Sequence, residues 1–587
     1  MAVCGVSSWA IIVQRRAVRH KYLALRIIIR LSLLRPSSTF ARMRYARRSF
    51  LGLALLVGPS VGACAPRSAP AIVRSTTTPP APASESSPTT VGRPALIVLI
   101  TIDQMRADYL DRFGPQLRGG LARLVAGGAR FTNAHHDHAI TETAPGHATL
   151  LSGRYPRSTG IMMNRVGVDD ADAPLVAGAY GTGASPKRFV GTTLADWLRD
   201  ASSRTRTLSV SMKDRGAILP IGTSKSDVYW YSADGRFTTS TYYRSSLPKW
   251  VNSFNERQLP FTYAGKRWSL LLPDSAYHEK DSVLVEGGGV DVVFPHALPD
   301  DPVDAGSLVR ATPFMDDLVL AFALHGVNSL ALGKSGQTDL LSVSLSATDV
   351  IGHRFGPDSR EIHDQILRVD RALGVFLDSL YALRDSSTVT VVLTADHGVG
   401  TIPELAPDSV QPRPTRVNLY GLLRPLIARI AAAKVDTNAI DLDEQILLMN
   451  RSAFKNRAFA DSIVDAFAVA ARQMPGVLRV DRFRSILGDS LSDPVARRWS
   501  HQFPAMVPVE LVITLTRLST FGGNVASHGS PHDYDSHVPL LFYGAGIQPG
   551  VYAEFVRTVD IAPTLALLAG VKPLERVDGI VLKRSLK

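Results

Sequence analysis

Cysteine is almost missing from these 587 residues: there are two, Cys4 and Cys64, both near the N-terminus. The chain beyond Cys64 can form no disulfide and has no thiol nucleophile, which excludes a disulfide-stapled scaffold and cysteine-based catalysis there. Acidic residues are absent from residues 1–50, which hold 11 Arg or Lys, whereas residues 94–587 carry no net charge. The formal charge of +13 is therefore local, and nucleic-acid binding by the folded part loses its main support. Internal repeats and coiled-coil heptads are absent too. At this length the chain can bury a large core in one elaborated domain or in two or three.

The basic N-terminus fits export. From Met43, MRYARRSFLGLALLVGPSVGAC has a basic stretch, an apolar stretch too short to span a bilayer well, and a small-residue exit. Arg47-Arg48-Ser49-Phe50-Leu51 resembles a twin-arginine signal, and Val61-Gly62-Ala63-Cys64 resembles a bacterial lipobox. Residues 1–42 are apolar but interrupted by arginine, as if a start codon upstream of Met43 had been assigned. The expected order is an early start (1–42), a signal (43–63) ending at a lipidated Cys64, a Pro/Ser/Thr tether (65–93) and a catalytic domain (94–587). The protein is expected in the periplasm or as an outer-membrane lipoprotein, touching membrane only through that anchor.

From Ala95 the pattern is α/β. ALIVLITI, DLLSVSLS (339–346), TVTVVLT (388–394) and VPLLFYG (538–544) are near-continuous apolar runs, as in strands covered on both faces. Between the second and third, Ile362, Ile366, Val369, Leu373, Phe376 and Leu380 recur every three or four residues, one stripe of a long helix. This alternation predicts a mostly parallel sheet flanked by helices, with ligands at the carboxyl ends of strands. Stretches near 220–335 and 402–525 break the rhythm and read as cap insertions, the second a mixture of helices and loops.

Acidic and imidazole side chains gather just past the strand signals: Asp103 after ITI, Asp349 and His353 in SLSATDVIGH, and Asp396 and His397 in VVLTADHG. Three such sites in one chain suit two divalent ions sharing a pocket, since each ion needs three or four N/O ligands. His528 is the choice for a last ligand, although spacing alone does not separate it from His532 and His537. In TETAPGHAT, Pro145 two residues after Thr143 favours a helix start, which would place the Thr143 hydroxyl at the positive end of a helix dipole. A bare threonine is a poor nucleophile; coordination to a metal ion can ionise it, which makes Thr143 a candidate metal ligand as well. His135, His136 and His138 read as structural, and His147 as a packing and hydrogen-bonding residue. Tyr229, Trp230, Tyr231, Tyr242 and Tyr243 read as cap lining or cap core.

TIDQMR, TETAPGHATLLSGRYPRSTGI, TDVIGHRFGP, TADHG and SHGSPHDYD together resemble the alkaline phosphatase superfamily, in particular its nucleotide pyrophosphatase/phosphodiesterase-like core. The resemblance implies one zinc held by Asp349, His353 and His528, and a second by Asp103, Asp396 and His397 with Thr143 as nucleophile. It implies in-line attack, a phosphothreonine intermediate and hydrolysis of that intermediate, with no third, magnesium site. SMKDRGAILPIG and GIMMN are similar to the phosphate-irrepressible periplasmic alkaline phosphatases, whose phosphate-binding Lys-x-Arg and Asn fall on Lys213, Arg215 and Asn164. The function implied is zinc-dependent hydrolysis of small phosphate monoesters. Alternatives are a phosphodiesterase or nucleotide pyrophosphatase with the same ions, and a binding protein on an inactive scaffold. A sulfatase lacks its formylglycine precursor here, and Asp/His sites also accept manganese or iron.

Overall fold

The computed structural model describes residues 92–487, 492–504 and 506–587. The expected early start, export signal, Cys64 and nearly all of the tether lie outside the described residues. Nine strands form the main sheet: β1 (Leu96–Ile102), β2 (Ala129–Phe131), β3 (Thr207–Ser211), β4 (Asp227–Ser232), β5 (Arg236–Thr238), β6 (Asp339–Leu345), β7 (Val389–Thr394), β8 (Leu540–Gly544) and β9 (Gly550–Tyr552). Their order is β9-β2-β8-β7-β1-β6-β3-β4-β5. The five strands from β7 to β4 run parallel, and every residue of β1, β3, β6 and β7 is buried. That is why these strands read as unbroken apolar runs: helices cover both faces. Strand β8 reads the same way but pairs antiparallel with β7 and β2.

The helix Arg360–Leu383 connects β6 and β7 on one face. The Ser359 hydroxyl caps it by accepting from Ile362 N–H at 3.2 Å, and all six residues of the predicted stripe are buried. Burying each such side chain contributes roughly 1.5–3 kcal/mol. Register places the chemistry. Thr101 pairs with both Ser344 and Thr394, so β1, β6 and β7 end level, and Asp103 N–H still donates to Leu345 O at 2.9 Å beyond the last pair.

The two expected insertions differ from their sequence reading. The first begins as sheet: Tyr229, Trp230 and Tyr231 lie on β4, buried in the cores on the two faces of the sheet. Residues 249–329 then pack largely on one face of the same sheet through Phe254, Trp268 and Phe322. The second carries its own antiparallel sheet of Ile440–Asp443, Ile446–Met449, Val509–Leu515 and Val477–Arg482, in that spatial order. Leu511, Ile513 and Leu515 face a core shared with the helices Tyr420–Ala432 and Arg457–Arg472. Val509 and Val512 join a cluster with Ala139, Ile140 and Met163, which bracket the segment leading into Thr143 and Asn164. Among the described residues no helix is long and apolar enough to cross a membrane.

Candidate active site

Asp103 follows β1 directly, Asp396 and His397 follow β7, and Asp349 and His353 lie one turn apart on the helix Ala347–Phe355 that follows β6. His528 comes from the loop before β8. Thr143 opens the helix Thr143–Leu150, whose Gly146 lies so close to the β7 end that an added Cβ would overlap the Asp396 carbonyl oxygen. Gly146→Ala is expected to lower stability by about 1–3 kcal/mol, as overpacking does, and to lower turnover by shifting Thr143. Denaturant titration alongside kcat checks both effects.

Three histidines are oriented in one manner. Nδ1 of His397, His353 and His528 lies 2.9, 2.8 and 2.8 Å from the carbonyl oxygens of Gly398, Ala526 and Thr141. Donation from Nδ1 leaves each Nε2 lone pair facing the pocket, the arrangement by which outer hydrogen bonds prepare imidazoles for a cation. His397 Nε2 is 3.5 Å from Asp103 Oδ1, 3.6 Å from Asp396 Oδ2 and 3.5 Å from Thr143 Oγ1. His353 Nε2 is 3.3 Å from Asp349 Oδ1 and 3.2 Å from His528 Nε2, which is itself 3.6 Å from Asp349 Oδ1.

The residues fit divalent ions. Asp103, Asp396 and His397 form one group of converging ligand atoms, and Asp349, His397 and His528 a second, with His353 in contact with the latter. His397 thus faces both groups, stacked on His528 at 3.6 Å. Asp103 Oδ1 is buried without a hydrogen bond, and Asp396 Oδ2, equally buried, has His147 Nδ1 at 3.1 Å. Burial, reinforced by the charges of Asp349 and Asp396, pushes the Asp103 carboxyl well up, against the pull of Lys213. Asp349 is held well down against its burial by Lys213 and His353, and Asp396 against its burial by His397 and His147. Burial and two neighbouring imidazoles keep His528 neutral. The chain's own cation stands where this field calls for one: Lys213 Nζ is 2.6 Å from Asp103 Oδ2, 2.5 Å from Asp349 Oδ2 and 3.5 Å from Thr143 Oγ1.

Asn164 is fixed at the helix start, its Oδ1 accepting from Ala144 N–H at 2.8 Å and its own N–H donating to Glu142 at 2.6 Å. Arg215 is about a third exposed; its Nε is buried without a hydrogen bond and its charge acts on Glu142 and Lys213. Other candidates are occupied elsewhere. His532 and His537 meet the carbonyls of Leu515 and Thr132, and His136 bridges Ala395 O and Thr558 Oγ1. His135 meets Ser536 Oγ, and His138 packs edge-on against His136. His147 links Thr143 O to Ser344 Oγ at 2.9 Å each, the packing and hydrogen-bonding part expected of it. Gln104 and Glu142, both inside the motifs quoted above, hold site residues in place and were not legible as such from residue type alone.

The model of the type I phosphodiesterase / nucleotide pyrophosphatase family matches residues 97–415. The chain belongs to that family. As a type I phosphodiesterase / nucleotide pyrophosphatase family member it is a phosphoric ester hydrolase. It is 31% identical over 522 residues to alkaline phosphatase PafA of Elizabethkingia meningoseptica, covering 83% of this chain and 95% of that one. It is 32% identical over 523 residues to alkaline phosphatase PhoV of Synechococcus elongatus, covering 85% and 94%. The crystal structure of wild-type PafA superposes with a TM-score of 0.77 at 30% identity, over 85% of this chain and 100% of that chain. The mostly parallel, helix-flanked sheet and the alkaline phosphatase resemblance are both borne out.

Proposed function

We propose that this protein is an exported phosphomonoesterase that works with two zinc ions and a phosphothreonine intermediate on Thr143. The observation that carries the reading is the Thr143 hydroxyl: buried at a helix start, 3.5 Å from both His397 Nε2 and Lys213 Nζ, beside two groups of inward-facing Asp and His ligands. Thr143 Oγ1 would form the bond to phosphorus as the ester oxygen leaves. Water would then form the second bond as the Thr143 O–P bond breaks, returning the hydroxyl and releasing phosphate. Ions held by Asp103, Asp396 and His397, and by Asp349, His353 and His528, would supply Lewis acidity at the attacking and leaving oxygens.

Asn164, Lys213 and Arg215 would hold non-bridging oxygens, and a terminal phosphate offers one more charged oxygen than a diester. Support comes from the relatives named alkaline phosphatase along most of the chain. A PafA variant of solved structure, 29% identical with a TM-score of 0.78, has a Thr, an Asn, a Lys and an Arg substituted. Its Thr and Asn are as far apart as Thr143 and Asn164, and one residue separates its Lys and Arg, as here. A diesterase reading is favoured by one feature, the engagement of Lys213 with Asp103 and Asp349. Rates on p-nitrophenyl phosphate and on its diester analogue, measured side by side on zinc-loaded protein, test the choice; a faster diester reaction rejects monoesterase function. Export rests on the lipobox-like segment, and radiolabelled palmitate should enter the wild type but not Cys64→Ser.

A further inference from the structure

The structure assigns Gln104 a positioning role: we propose that it sets the orientation of one carboxylate from each ligand group, so that the ion of the Asp349 group depends on its amide. This rests on the two-ion reading. Gln104 is buried at the exit of β1, and its φ of 69° is a left-handed backbone that residues other than glycine rarely adopt. That turn aims its two donors in different directions. The backbone N–H reaches Asp396 Oδ1 at 3.1 Å, and the side-chain Nε2 reaches Asp349 Oδ1 at 2.9 Å.

The choice of atoms has consequences. Gln104 N–H on Asp396 Oδ1 turns Oδ2 toward the imidazoles, 3.1 Å from His147 Nδ1 and 3.6 Å from His397 Nε2. On Asp349, Oδ1 is the oxygen in contact with His353 and His528, so the amide on Oδ1, with Lys213 Nζ on Oδ2 at 2.5 Å, fixes the carboxylate rotation that brings those three together. An amide does this without adding charge; a lysine or arginine in its place would compete with a bound cation. Because the group facing a carboxylate must be the donor, Oε1 is turned away, buried and without a partner. It lies against Gly352, on the same helix as Asp349 and His353, where an added Cβ would overlap it. Gly352 thus leaves room for the Gln104 amide between the two ligands of its own helix.

The two donors make the test selective. Gln104→Met keeps the volume and the backbone donor but removes the amide, so only the Asp349 group should suffer. Zinc affinity is read by chelator competition on the full chain, and metal-free melting by circular dichroism. The wild type should bind two zinc ions. Gln104→Met should weaken one of them about 10- to 100-fold, as loss of an outer-sphere partner does, with metal-free melting within a degree or two of wild type. Gly352→Ala, which displaces the amide without touching Gln104, should weaken the same ion. Gln104→Gly should melt higher than Gln104→Met, because the left-handed turn no longer carries a side chain, and yet bind that ion as poorly. Unchanged affinity for both ions in the two Gln104 variants, or a loss that only tracks a fall in melting temperature, overturns the proposal. A wild type that binds fewer than two ions overturns the two-ion reading itself.

Discussion

Thr143→Ala is expected to lose turnover by on the order of 10⁴-fold or more while keeping its fold and its metal content. The loss is large because the hydroxyl is the atom that bonds to phosphorus in the proposed reaction, and no cysteine lies within the described residues to replace it. The fold should survive because the hydroxyl contributes little to it. Its contacts are with His397 and Lys213, each at 3.5 Å, and the residue before it, Glu142, makes no side-chain cap of the helix. A lost weak hydrogen bond costs about 1 kcal/mol or less against a total of roughly 5–15 kcal/mol. Elemental analysis, melting and kcat on one preparation check the three parts together. Near-wild-type turnover would remove Thr143 from the chemistry.

Replacing Lys213 and Arg215 together should lower monoester kcat/KM by at least about a hundredfold, since charge-assisted contacts contribute roughly 1.5–3 kcal/mol each. Diester kcat/KM should fall much less. The structure adds a condition to the measurement. Lys213 is buried between Asp103 and Asp349, so Lys213→Ala leaves two carboxylates facing each other, a kind of loss that costs about 3–5 kcal/mol when a buried pair is broken. The double variant should therefore be fragile without metal and must be compared zinc-loaded. Arg215→Ala is free of this complication, because the Arg215 side chain is partly exposed and its nearest carboxylate, Asp214, is 3.8 Å away. Its monoester-to-diester ratio should shift in the same direction by roughly tenfold or more. An unchanged ratio in both variants would favour the diesterase reading.

Much of this site is legible in the chain because strand ends are. Asp103, Asp396 and His397 follow runs of β-formers buried on both faces, and Asp349 and His353 share a helix face by their spacing of four. The direction of β8 is not legible, since a strand buried on both faces looks alike whether parallel or antiparallel. The four-stranded sheet within 402–525 is missed because two of its strands are four residues long and the flanking helices supply the stronger periodicity. His528 is separated from His532 and His537 only by the path of a loop. The Lys213 ion pairs and the Gln104 bridge depend on three strand ends meeting, together with one left-handed turn, and neither leaves a mark in residue pattern.

Transfer of phosphate from a monoester made isotopically chiral at phosphorus to an alcohol acceptor reads the proposed chemistry most directly. Each in-line displacement inverts phosphorus, so attack by Thr143 followed by attack of the acceptor on phosphothreonine predicts net retention of configuration. Net inversion would mean that the acceptor attacks the substrate directly, and it would contradict the Thr143 intermediate.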